Sequence, residues 1–194
     1  MVKHFKNLTD KKNKIIINKE IHNEYFKNNF LNKYNLEKLR FEYKFFYEIE
    51  NLVNSKNIIY FYPASFLKHK NHIRLIKAFE NLPADIKKNI FILLTINAID
   101  IKKLTYEKNI INLGKINRNY VNYLLKNLNF LVFPSLIESL GIPLLEAKYS
   151  KLKIISSYID VISEVSEPLI KFNPENIYEI SSALLTSYNL AILK

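Results

Sequence analysis

From Asn57 onward, short unbroken apolar runs alternate with stretches whose apolar residues recur every three or four positions. The runs IIYFYPAS (58–65), IFILLTI (90–96), NIINLG (109–114), FLVFPS (130–135), KIISSY (153–158) and LIKFN (169–173) are rich in Ile, Val, Phe and Tyr. They do not alternate apolar with polar, so they predict strands buried on both faces. The intervening stretches 71–82, 118–129 and 142–151 predict amphipathic helices, with a weaker one near 98–107 and a last one over 174–193, opened by Pro174. Buried strands alternating with helices predict an α/β fold, a single Rossmann-like doubly wound parallel sheet across 58–194. Ligands of such sheets sit outside the carboxyl ends of the strands. The segments 64–72, 95–98, 114–117, 135–142 and 157–164 are therefore where chemistry is expected.

Residues 1–57 do not keep this rhythm and are read as an N-terminal extension. KIIIN (14–18) predicts a short strand. LEKLRFEYKFFYEIENLV (36–53) places Leu36, Leu39, Tyr43, Phe46, Ile49 and Val53 on one stripe, which predicts a helix packed against something. Glu42 and Glu50 of that helix are expected in solvent, whereas Tyr43, Phe46, Phe79 and Tyr123 are expected in the core. No internal repeat and no Gly/Ser- or Pro-rich linker is visible.

Composition narrows the function classes. Without cysteine, the chain has no disulfide, thiolate metal site or cysteine nucleophile. The apolar runs are too short to span a bilayer, and the start MVKHFKNLTDKKNK lacks a signal-peptide core. The expected location is the cytoplasm, including its face on the inner membrane surface. A net charge of +11 invites a nucleic-acid reading. However, the lysines are dispersed among many Asn and Ile, and no nucleic-acid motif accompanies them, so no nucleic-acid partner is expected. Anionic lipid heads or a phosphorylated ligand suit the charge at least as well.

The chain has only two glycines. Gly114 ends the third predicted strand and Gly141 opens a helix, both at the ligand-bearing edge. Each fits a tight turn or cap, and each also fits a close backbone approach to a ligand, with a helix N-terminus offering N–H groups to an anion. Glu138 precedes Gly141 in the loop after a buried strand, and Glu146 follows it in the helix. Their eight-residue spacing alone says nothing, because Glu42 and Glu50 repeat it. In context, the two carboxylates flank a helix mouth and suit a ligand carrying phosphates and hydroxyls. His69 and His72 form a weak metal pair with no third ligand in view. There is no Walker or GxGxxG loop and no Asp-x-Asp motif, and no cofactor or metal is expected.

PSLIESLGIPLLEAK (134–148) resembles the E-x7-E signature of retaining glycosyltransferase family 4, whose members have the GT-B fold. YFYPASFLKHKNHIRLIKAF, NIINLGKI and KIISSYIDVISEVSEPLIKFNP resemble, in order, other blocks of that family's donor-binding domain, covering about residues 58–190. The resemblance implies that Glu146 binds the ribose hydroxyls of a UDP- or GDP-type sugar and that Glu138 lies near the sugar and reacting centre. It also implies that N–H groups of Leu140, Gly141 and Ile142 hold sugar and phosphates, and that Lys70 neutralises the diphosphate. The backbone of Lys115 and Ile116, after Gly114, would meet the base, and Glu164 would support the site from one layer out. Ser65 stands where many relatives place an arginine clamp. The implied activity is sugar transfer with retention to a glycan or lipid-linked acceptor, in cell-surface polysaccharide synthesis. An acceptor domain is not recognisable in 1–57, so the expectation is a donor-binding half. Either it is active, or it is a binding module or split-gene remnant needing a separate acceptor-domain polypeptide. The stripe on helix 36–53 would then be a docking surface.

Overall fold

The computed structural model describes residues 47–96, 104–105 and 107–193. The expected strand at 14–18, residues 36–46 of the expected first helix, and most of the expected helix near 98–107 lie outside the described residues.

Residues 47–53 form the described part of helix α1. The domain then runs β1 (Ile58–Tyr62), a 3₁₀ turn (Lys68–Lys70), α2 (His72–Glu80), α3 (Ala84–Lys87), β2 (Ile90–Leu94) and β3 (Ile110–Asn112). It continues with α4 (Arg118–Asn127), β4 (Phe130–Phe133), α5 (Ile142–Tyr149), β5 (Lys153–Ser157), α6 (Asp160–Val165), β6 (Ile170–Phe172) and α7 (Ile177–Ile192). All six predicted strands are present. They form one parallel sheet in the order β3-β2-β1-β4-β5-β6. Every residue of β1 and β4 is buried, as the unbroken apolar runs require of central strands covered on both faces. At about 1.5–3 kcal/mol for each fully buried large apolar side chain, these strands anchor the domain.

The chain moves outward through β1, β2 and β3, then returns to place β4 on the other side of β1. The connections leave β1 and β4 in opposite directions, which opens a crevice beyond their carboxyl ends. A buried hydroxyl ties the sheet to the helix packed on it. The Tyr60 hydroxyl bonds the Leu184 carbonyl (2.9 Å) and Ser187 Oγ (2.8 Å), tying β1 to α7. Its ring stacks on Phe130 of β4 at 5.2 Å.

Three readings of the sequence are corrected. Glu50 is buried, 7% exposed, on a helix whose Ile49 enters the core and whose Leu52 and Val53 pack against it. The described part of the proposed docking stripe is therefore already covered by the domain. The last helix is opened by Asn176, whose side chain accepts from the Tyr178 and Glu179 N–H groups. Pro174 has no such side-chain acceptor, and its carbonyl instead takes a 2.7 Å bond from Asn71 Nδ2. Phe79 is fully buried, while Tyr123 is only partly buried, packing on the core and stacked on Tyr120 at 5.8 Å.

Candidate functional site

The loops leaving β1 and β4 meet over the crevice. Their backbones are joined directly, the Leu136 N–H donating to the His69 carbonyl at 2.8 Å. Below that bond lies a buried polar seam. The Tyr62 hydroxyl donates to the Lys70 carbonyl (2.9 Å) and lies 3.0 Å from Ser135 Oγ. Ser157 Oγ on β5 donates to the Ser135 carbonyl at 2.7 Å. Asn71 adopts the left-handed conformation, φ 60°, and its amide donates to the Pro134 carbonyl at 3.0 Å. Asn is among the residues that tolerate this region. Asn71 ends the 3₁₀ turn and opens α2, so it alone separates Lys70 from the helix.

That geometry brings Lys70 to Glu138. Lys70 Nζ lies 2.5 Å from Glu138 Oε2, with the side chains 16% and 12% exposed. Burial raises the Glu138 carboxyl, but the hydrogen bond and charge of Lys70, with the N–H groups of Ser139 and Gly141, outweigh it and hold it below the usual carboxylate range. Glu138 thus occupies the electropositive place between the lysine and the head of α5. Lys70 also sits over the Phe133 ring, 5.8 Å from its centroid.

Gly141 is the N-cap residue of α5, with φ 62°, and its carbonyl accepts from Leu144 N at 2.8 Å. It therefore does cap the helix. Leu140 and Ile142 on either side are half exposed. Pro143 at the start of α5 needs no N–H partner there. Gly114 has φ 64°, and its N–H is held by Asn112 Oδ1 at 3.1 Å. After it, Lys115 is exposed, and Ile116 packs its side chain on the core. Asn117 then caps α4, accepting from Tyr120 N at 2.8 Å.

The first residue of α4 is one the sequence reading missed. Arg118 reaches across to α5 and forms an ion pair from Nη2 to Glu146 Oε1. The two expected site glutamates are therefore each held by a cation from a different element, Lys70 at the end of the 3₁₀ turn and Arg118 at the start of α4. A signal was present in the sequence, because a cation at a helix N-terminus opposes the helix dipole. It is out of place unless a carboxylate meets it.

The other expected residues are placed as follows. Ser65 and His69 are exposed in the β1 loop, as is Lys68. Glu164 is exposed on α6 and forms no bond to either ion pair. His72 is 2% exposed, its ring 4.8 Å from Tyr62 and 5.6 Å from Phe66. Burial pushes its pKa down to about 4, with the charge of Lys70 adding to the effect and a backbone interaction at Ala64 opposing it. His69 and His72 thus lie in different environments and form no pair. Among the described residues no group of three His, Cys, Asp or Glu side chains converges as metal donors. No described helix is long and apolar enough to cross a membrane.

Comparison with known proteins agrees with this fold. Residues 44–171 match the family model described as glycosyl transferases group 1. No curated protein sequence matches the chain. Among solved structures, the catalytic domain of cholesterol-alpha-glucosyltransferase from Helicobacter pylori aligns with a TM-score of 0.56 and 20% identity, over 70% of this chain and 93% of that one. WaaG, a glycosyltransferase involved in lipopolysaccharide biosynthesis, aligns with a TM-score of 0.56 and 21% identity, over 75% of this chain and 44% of that one. A UDP-forming alpha,alpha-trehalose-phosphate synthase from Burkholderia xenovorans aligns with a TM-score of 0.61 and 11% identity, over 74% and 39%. The chain thus spans less than half the length of the latter two. At these identities the likeness establishes the fold, a six-stranded Rossmann-like sheet matching half of a GT-B architecture.

Proposed function

The chain belongs to the group 1 glycosyl transferases, and from that premise we propose that residues 58–194 bind a UDP- or GDP-type sugar at the β1/β4 crevice. The observation that carries this reading is the convergence of Lys70, Glu138 and the Gly141 helix head on one spot. In the donor complex the diphosphate takes the positive potential that Glu138 now occupies. Lys70 has three N–H donors, so it serves the carboxylate and a phosphate oxygen together. Glu138 then turns to the sugar hydroxyls, Glu146 takes the ribose, and Lys115 and Ile116 meet the base.

In the transfer step the acceptor hydroxyl oxygen bonds to the anomeric carbon, and the bond from that carbon to the diphosphate breaks. Its electron pair passes to the leaving diphosphate, which accepts the hydroxyl proton on the same face, so configuration is retained. Lys70 and the α5 N–H groups stabilise the charge growing on the leaving group. The acceptor is a glycan or lipid-linked sugar of the cell surface, and the step takes place in the cytoplasm or at an anionic inner membrane face. The reading needs no metal.

Calorimetric titration with UDP and GDP tests donor binding. One of the two binds, and Lys70→Ala and Glu146→Gln each weaken it about tenfold, the worth of one charge-assisted hydrogen bond. Binding of neither nucleotide, or indifference to both changes, overturns the reading. A second reading is a donor-binding module that acts with a separate acceptor-domain polypeptide. Sugar-nucleotide turnover by the purified chain alone would exclude it.

A further inference from the structure

Resting on the donor-site reading, we propose that Arg118 is a positioning residue for the ribose. It holds the Glu146 carboxylate in the orientation that receives the ribose hydroxyls, and so sets the preference for a ribonucleotide donor.

Three observations carry this. The first is the ion pair itself, made between α4 and α5 by side chains 63% exposed on Arg118 and only 13% exposed on Glu146. The less exposed partner is the one that needs orienting. Among the described residues the Glu146 side chain has no other hydrogen bond than the one to Arg118. Arg118 engages Oε1, one of the two carboxylate oxygens. The second is the helix position of Arg118. At the first residue of α4 a cation opposes the dipole, α4 has no acidic residue in its first turn, and Asn117 already supplies the cap. The arginine is therefore not explained by the stability of its own helix. The third is its place in the chain. It follows the 114–117 turn directly, so the residues read as meeting the base and the residue holding the ribose carboxylate belong to one rigid capped segment. Base and sugar of the donor are thereby registered against each other.

A purely stabilising surface pair would contribute little and act on every ligand alike. A positioning role predicts a selective effect. The test compares UDP with 2′-deoxy-UDP, and GDP with 2′-deoxy-GDP, by calorimetry on the full chain and its variants. The wild type prefers the ribonucleotide about tenfold, the worth of one hydrogen bond to a charged acceptor. Arg118→Ala brings that ratio close to one while the 2′-deoxy affinity stays within about twofold, and Arg118→Lys restores part of the ratio. In Glu146→Gln the ratio is already lost, and adding Arg118→Ala changes nothing more, as expected of residues acting as a unit.

An unchanged ratio in Arg118→Ala overturns the inference, whatever happens to absolute affinity. So does a uniform loss on both nucleotides of a pair. If Glu146→Gln abolishes the ratio and Arg118→Ala does not, only the role of Arg118 fails and the donor site stands. If the wild type binds no nucleotide, the donor-site reading fails and this inference with it. Thermal melts confirm folding of each variant, and Arg118→Gln replaces Arg118→Ala should the latter not fold.

Discussion

A Cβ built on Gly141 stands 2.8 Å from Leu144 Cδ1, and Leu144 is fully buried with little room to shift. The backbone there also lies in the left-handed region. Gly141→Ala is therefore expected to lose about 2–4 kcal/mol, strain and overpacking together, in a denaturant titration. Gly114 shares the conformation but meets nothing within 4 Å. Gly114→Ala should lose only about 1–2 kcal/mol, and Gly114→Asn less. His72 supplies a pH test. Its ring is held neutral down to about pH 4, below its ordinary 6.5. In the unfolded chain it gains its proton first, so its contribution is fully present above about pH 6.5 and is lost as pH falls toward 4. Melts of the wild type should fall through that window, and His72→Phe should flatten that part of the profile. Glu138 acts in the same direction lower down. Its carboxyl is depressed, so its share is lost only below the ordinary carboxylate range.

At the scale of elements, two helices carry comparable asparagine caps with different consequences. Asn176 opens α7 and Asn117 opens α4. Replacing either with alanine should cost about 1 kcal/mol of stability. Only Asn117→Ala should also weaken UDP or GDP, because α4 carries Arg118 and the preceding turn. Equal nucleotide affinity in both variants would separate α4 from the site. The elements were legible where the pattern was long. Strands such as IIYFY and IFILL are continuous buried runs, and α2 repeats its apolar positions through Leu75, Ile76 and Phe79. The short helices were not. Ala84–Lys87 spans a single turn, and Asp160–Val165 (DVISEV) is six residues long with valine at two positions. Neither offers enough periodicity to outweigh local propensity, and tertiary packing decides them.

For the molecule as a whole, the charge of +11 must be set against a specific crevice. A ligand that binds only the folded state stabilises by mass action, about 2.7 kcal/mol at one hundred times its Kd. UDP or GDP at that excess should raise Tm, and a duplex oligonucleotide at physiological salt should not. A Tm rise with DNA that vanishes on adding salt would mark the charge, and not the crevice, as the binding determinant.

What the sequence determined by itself was the alternation of buried strands and helices, the edge where chemistry would lie, and Glu138, Gly141 and Glu146 as its candidates, Lys70 coming from the family resemblance. Those features are local. They depend on runs, caps and short motifs that a chain carries before it folds. Only the tertiary structure decided which charges meet. Lys70 and Glu138 lie 68 residues apart, and Arg118 and Glu146 lie 28 apart. Each pair forms because the sheet order returns β4 beside β1 and packs α4 against α5. The same packing buried Glu50, which helical periodicity alone had left in water. Periodicity tells a residue's face on its own element, whereas burial and pairing depend on what the rest of the chain lays against that face.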